Sequence, residues 1–226
     1  MRIGGIQKSS LLDFPNMISA IVFTKGCNFA CGYCHNPELF NSGVEHSTSE
    51  FFEFLNTRKG KLDGIVITGG EPCLQPDLID FIRQIKQMGF LVKLDTNGSF
   101  PDVIQNLLNE NLLDYIAMDI KAPLEKYNAV SNSTISTDKI ITSINLIMNS
   151  GIDYEFRTTV VKSQLTFGDF EKIANIIRGA KRYYLQKFIP SKTLDSRFMD
   201  KETYNDEDFK RIIDTLTCKI SLVEVR

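Results

Sequence analysis

Ile18-Ser19-Ala20-Ile21-Val22-Phe23-Thr24-Lys25-Gly26-Cys27-Asn28-Phe29-Ala30-Cys31-Gly32-Tyr33-Cys34 is an apolar run that passes directly into a loop of three thiols. The run predicts a β-strand over 17–24, short enough and apolar enough to be buried. The same arrangement, an apolar strand closed by unusual polar residues, then recurs along the chain. A strand over 64–68 is broken by Gly69-Gly70-Glu71-Pro72, and one over 90–94 ends in Asp95-Thr96-Asn97-Gly98. A fourth, over 115–120, carries Asp119 and Lys121 at its end. Strands over 154–161 and 183–188 complete the series.

Helical periodicity fills the intervals. Ser47-x-x-Glu50 reads as a capping box before a helix to about Arg58. Leu78, Phe81, Ile82 and Ile85 recur at helical spacing after Pro76 and stop at Gly89. Val103, Leu107 and Leu108 mark the next helix; Ile140, Ile144 and Ile147 the one after. Phe170, Ile173 and Ile177 mark another, and a last helix spans 206–215 before a strand-like tail over 219–225. Regular β-α alternation argues for parallel strands with helical crossovers. A complete eight-unit barrel takes roughly 250 residues. Six units in 226 residues predict an α/β fold, a partial (β/α)6 barrel open on one side. A doubly wound open sheet has the same periodicity. Either way, the C-terminal ends of parallel strands share one face, and that face holds the active site. The expected organisation is a single domain over 1–226: an extended or turn-rich N-terminal extension (1–16), the barrel (17–217) and a tail (218–226). The longest irregular stretch is expected over 122–137.

The composition sets limits. With 42% hydrophobic residues the chain can bury one substantial core. A net charge of −2 argues against a broad nucleic-acid footprint. No export signal and no apolar run of membrane-spanning length are visible, so a cytoplasmic protein without a membrane partner is expected. Five cysteines, three of them clustered, favour metal binding or catalysis over disulfides in that setting.

C-x3-C-x2-C offers three thiolates where structural zinc and most iron–sulfur clusters take four protein ligands. Either a fourth ligand comes from His35, His46 or Cys73, as in a zinc knuckle, or a [4Fe–4S] cluster keeps one open iron. The absence of a second cysteine pair favours the cluster. Gly69-Gly70 allows close approach of backbone to a ligand; an ordinary tight turn is the alternative. Asp95 and Asp119 end neighbouring strands, where two close carboxylates repel unless a cation lies between them. Asx turns at strand ends would use the same residues. Lys121 is either a solvated strand end or part of the site. Arg157, in mid-strand, needs either a ligand carboxylate or a neighbouring acid. Cys73 and Cys218 read as buried small hydrophobes rather than ligands.

Cys27-x3-Cys31-x2-Cys34, with Tyr33 before the last cysteine, resembles the cluster signature of the radical S-adenosylmethionine (radical SAM) superfamily, and Gly69-Gly70-Glu71-Pro72 resembles its GGEP motif. Gly4-Gly5-Ile6-Gln7-Lys8, Leu12-Asp13-Phe14-Pro15, Cys34-His35-Asn36-Pro37-Glu38, Asp95-Thr96-Asn97-Gly98 and Met118-Asp119-Ile120-Lys121 are similar to stretches of glycyl-radical-enzyme activases. The likeness is strongest to those of anaerobic ribonucleotide reductase, related to pyruvate formate-lyase activase. The resemblance implies one [4Fe–4S] cluster on Cys27, Cys31 and Cys34, its fourth iron chelated by S-adenosylmethionine. It implies that Tyr33 lies near adenine, that Gly69, Gly70 and Glu71 receive the methionyl amine, and that Asn97, Lys121 and Arg157 contact the cofactor. Asp95, Thr96 and Asp119 would hold a monovalent cation. A flavodoxin- or ferredoxin-like donor would supply one electron, and the resulting radical would take hydrogen from a glycine of the partner enzyme. No cysteine lies between His35 and Thr68, so a single cluster is expected. The competing readings are a small-molecule enzyme similar to 7-carboxy-7-deazaguanine synthase and a zinc-binding adaptor without catalysis.

Overall fold

The computed structural model describes residues 1–41 and 45–226. Among them one sheet of eight strands runs in sequence order without closing on itself. β1 (Ile3–Ser10) pairs antiparallel with β2 (Ser19–Thr24). From β2 onward every pairing is parallel: β3 (Gly64–Gly69), β4 (Leu91–Thr96), β5 (Tyr115–Asp119), β6 (Asp153–Val160), β7 (Arg182–Lys187) and β8 (Leu222–Val225). This is the open α/β barrel that the alternation predicts, with two differences. The extension over 1–16 is not merely extended chain, because β1 hydrogen-bonds along β2. The tail is not appended to the sheet but joins it, with Arg182–Leu185 of β7 paired to Leu222–Val225.

Eight helices are described: α1 (Glu38–Asn41), α2 (Thr48–Asn56), α3 (Leu78–Gln87), α4 (Pro101–Asn109), α5 (Tyr127–Ser131), α6 (Thr137–Met148), α7 (Phe167–Ile176) and α8 (Asp206–Leu216). The capping box at Ser47 and Glu50 forms as its spacing predicts. The stretch over 122–137 is less irregular than expected. A 3-10 turn over Leu124–Lys126 and α5 lie within it, and α5 stops at Asn132 in the left-handed region (φ 47°).

Alternation along the strands separates two faces. Val22, Ile65, Ile67, Val92, Leu94, Ile116 and Phe156 belong to the large core that also contains Leu55, Phe81, Ile82, Ile104, Ile144 and Phe170 of the helices. The opposite set is smaller. At its base Phe14, Ile21, Val66 and Tyr115 cluster apart from the main core. Towards the strand ends the same set becomes charged: Lys93 and Asp95 on β4, Asp119 on β5, Glu155 and Arg157 on β6. Burying apolar side chains on the outer face stabilises the fold by about 1.5–3 kcal/mol per large residue, which leaves the inner face free to carry charge.

Candidate active site

A cavity of about 250 Å³ opens at the C-terminal ends of the parallel strands. Its wall includes Cys27, Cys31, Tyr33, Cys34, Gly69, Gly70, Asp95, Thr96, Asn97, Asp119, Lys121 and Arg157. Of the residues assigned from sequence, Glu71 alone is absent from that wall.

The thiol loop leaves β2 through Gly26, which lies in the left-handed region (φ 87°). Its course is held from both sides: Gly26 N donates to Leu39 O at 2.7 Å and Ala30 N to Ser131 O at 3.0 Å. Phe29 is buried, its ring edge-on to Tyr127, and its N–H points at Cys27 Sγ at 3.4 Å. All five cysteines are free thiols; Cys73 is buried as expected, whereas Cys218, just past the end of α8, is exposed rather than buried. Burial pushes the Cys27 thiol up to about 12, against the Phe29 N–H, which favours thiolate. Burial raises Cys31 too, with Lys121 opposing. Thiols so placed become thiolates when a positively charged metal centre offsets their desolvation. Three thiols around one cavity, with an N–H already aimed at one sulfur, fit a cluster. Among the described residues no three His, Cys, Asp or Glu side chains are gathered so as to hold a single metal ion.

Gly69 and Gly70 have a steric reason for lacking side chains. Gly69 has φ 113°, and a Cβ there would meet the Thr24 backbone; one on Gly70 would overlap Gly26 O. The closeness is used: Gly70 N donates to Thr24 O at 2.9 Å and Glu71 N to Gly26 O at 2.8 Å. The turn is thereby bonded to the start of the thiol loop.

Glu71 differs from expectation. Its carboxylate is fully buried behind the wall and accepts from Cys73 N at 3.0 Å, Thr96 Oγ1 at 2.7 Å and Asn97 N at 2.7 Å. Burial raises its pKa despite these donors. A carboxylate that accepts from three donors inside the protein fixes the loop after β4, and it does not itself line the cavity. Asn97 extends the brace, since its Nδ2 donates to Asn28 Oδ1 at 3.0 Å, and Asn28 Nδ2 donates to Ser99 Oγ at 2.9 Å. The thiol loop, the glycine turn and the loop after β4 are thus one hydrogen-bonded unit.

The far wall is a chain of alternating charge. Lys93 Nζ lies 2.5 Å from Asp95 Oδ1, and Arg157 Nη1 lies 3.1 Å from Asp95 Oδ2. Arg157 Nε reaches Asp119 Oδ1 at 2.8 Å, and Lys121 Nζ reaches Asp119 Oδ2 at 3.0 Å. Burial alone would raise both acids, but Arg157 and the two lysines hold them below the usual carboxylate range. Burial alone would lower Lys121, yet Asp119 keeps it well above its ordinary value. All four carboxylate oxygens are therefore paired with protein cations. The expected monovalent cation does not fit this arrangement, because the Arg157 guanidinium already lies between Asp95 and Asp119. Of the two partners foreseen for Arg157, the neighbouring acid is the one found.

Sequence reading missed Lys93, Thr159 and Gln186. A signal existed, because residues two apart on a strand share a face. Lys93 therefore follows from Asp95, and Thr159 from Arg157.

A family model described as the radical SAM superfamily matches residues 21–177, from β2 through α7. The chain belongs to the radical SAM superfamily. Radical SAM proteins are enzymes that use a [4Fe–4S] cluster and S-adenosylmethionine, which sets aside the zinc-binding adaptor. A Methanocaldococcus jannaschii protein assigned as a glycyl-radical enzyme activating enzyme is 36% identical, over 87% of this chain and 83% of its own. The pyruvate formate-lyase-activating enzyme of Clostridium pasteurianum is 27% identical, over 93% and 94%. A 7-carboxy-7-deazaguanine synthase from Methanospirillum hungatei is 28% identical, over 76% and 70%. No helix among the described residues of this radical SAM protein is long and apolar enough to cross a membrane.

Proposed function

We propose that the protein is a glycyl-radical-enzyme activase, with anaerobic ribonucleotide reductase as its partner and a flavodoxin- or ferredoxin-like protein as electron donor. The observation that carries the reading is the meeting of three thiols, a glycine turn and a charged wall on one cavity. The likeness to activating enzymes over most of both chains points the chemistry towards a protein glycine.

In this reading Cys27, Cys31 and Cys34 hold one [4Fe–4S] cluster. Held there, such a cluster would supply one-electron reduction of S-adenosylmethionine, the source of the radical chemistry. The chain's own residues bind, orient and exclude water. Backbone carbonyls of Gly69 and Gly70 receive the methionyl amine, a role open to them because no side chain intervenes. Lys121 presents its ammonium to the cofactor carboxylate, and Asp119 keeps that lysine charged at working pH. Tyr33 lies beside Lys121, whose Nζ is 5.9 Å from the ring centre, and gives the adenine an apolar neighbour. Arg157 holds Asp95 and Asp119 apart and leaves the cavity wall without net repulsion. Glu71 and Asn97 act by fixing the loop after β4. No step is assigned to a monovalent cation.

The test is anaerobic reconstitution and reduction, followed by incubation with S-adenosylmethionine and purified anaerobic ribonucleotide reductase. A glycyl-radical doublet by electron paramagnetic resonance is expected. Cleavage of S-adenosylmethionine with no glycyl radical on any candidate partner would overturn the activase reading. It would favour a small-molecule substrate, as the likeness to the deazaguanine synthase allows.

A further inference from the structure

Residues 188–203 join β7 to α8 and carry none of the groups placed in the site. Their contacts nonetheless converge on the thiol loop. Leu194 N donates to Cys34 O at 2.9 Å and Asp195 N to Gly32 O at 3.0 Å, so the two segments are joined through backbone on either side of Tyr33. Phe198 lies against Gly32 so closely that a Cβ at Gly32 would overlap its ring. The same ring is edge-on to Tyr33 (6.2 Å between centres) and to Phe188 (6.3 Å). Phe188 in turn stacks on His35 at 5.5 Å with planes 9° apart, and His35 Nε2 meets Ile189 O at 3.1 Å. The segment has its own fastenings. Asp195 caps the 3-10 turn that carries Phe198 and pairs with Arg197, while Lys192 Nζ reaches Glu38 Oε2 at 2.7 Å.

We propose that residues 188–203 form a strap that fixes and shields the thiol loop, with Phe198 as its positioning residue acting through Gly32. Every loop residue from Gly32 to His35 is touched by the strap, whereas the opposite flank of the loop is braced by Ser131 and Asn97. Gly32 is explained by this contact and not by backbone freedom, since it is absent from the glycines with positive φ. The proposal rests on the cluster reading for its purpose, because exposure around cluster sulfurs sets a cluster's potential and lifetime. Its geometry is independent of that reading.

The test uses the full chain without metal, under anaerobic reduction, and follows alkylation at each cysteine by peptide mass spectrometry. Cys218 is exposed and reports intrinsic reactivity; Cys73 is buried in the 3-10 turn after Glu71 and reports general unfolding. Phe198→Ala is expected to speed labelling of Cys31 about tenfold, as local opening would, with Cys73 and Cys218 changed less than about twofold. Phe198→Leu, which retains apolar bulk, is expected to restore most of the protection. Gly32→Ala, which displaces the ring from the other side, is expected to match Phe198→Ala. An unchanged Cys31 rate in both Phe198→Ala and Gly32→Ala would overturn the proposal. So would parallel acceleration of Cys31 and Cys73, which marks a purely global effect. After reconstitution, chelator bleaching should be faster in Phe198→Ala. If the wild-type chain takes up no cluster at all, the cluster reading fails while the labelling result still decides the strap.

Discussion

Arg157 is the side chain on which both acids of the cavity wall close. Removing it breaks a buried network and leaves Asp95 and Asp119 with one lysine each. Breaking a buried pair costs about 3–5 kcal/mol, so Arg157→Met should lower the urea midpoint markedly at pH 7. The pH dependence has a definite sign. Both acids ionise below their ordinary value in the native state. Their stabilisation is therefore complete above the unfolded carboxylate pKa and is lost as pH falls through the lower native values. Wild type should hold this contribution at pH 5 and lose it only in stronger acid. In Arg157→Met the native values move up, and the acid limb of the midpoint-against-pH curve should shift to higher pH. Identical acid limbs would show that Arg157 does not hold these carboxylates ionised. In the sequence Arg157 stood out as a charge in an apolar strand, but its partners depend on register. Asp119 lies directly across from it, a pairing fixed only when β5 and β6 align. Glu71 shows the converse: the motif is visible, while the direction of its carboxylate is decided by the loop after β4.

Among the elements, the turn after β3 has the sharpest consequence. Gly70 touches Gly26 at the root of the thiol loop, so Gly70→Ala overpacks by roughly 1–3 kcal/mol and must push that loop. We expect far-ultraviolet circular dichroism to be preserved and iron uptake on reconstitution to fall well below wild type; full iron uptake would contradict the coupling. Helix α2 offers a simpler case. Ser47→Ala removes the acceptor for Glu50 N and should cost about 1 kcal/mol, read as a lower thermal midpoint. Both features were legible, one as paired glycines after a strand and the other as Ser-x-x-Glu before an apolar stripe. β1 was not legible as a strand. Gly4 and Gly5 break its pattern, and Gln7 and Lys8 face solvent on the sheet edge, so little alternation remains. α5 was hidden by the Ser and Asn residues around it, which signal turns, although Tyr127 and Val130 are buried.

At the level of the whole molecule, an unclosed sheet gathers residues from β2 to β7 onto one cavity. Apolar packing outside the sheet allows a charged interior, and that interior ends in the site. The shared face of the strands' C-terminal ends followed from the alternation, so the meeting of distant motifs was legible before any contact was known; the sequential strand order was not, because a doubly wound sheet has the same periodicity. The strap was not, because no periodicity ties residues 188–203 to the thiol loop. The most direct measurement of the central claim is 5′-deoxyadenosine release from S-adenosylmethionine by the reconstituted, reduced protein, quantified by chromatography for wild type and single variants. Wild type and Cys73→Ala should release it, whereas Cys27→Ala, Cys31→Ala and Cys34→Ala should each release none above background. Release retained in all three of those variants would contradict the account.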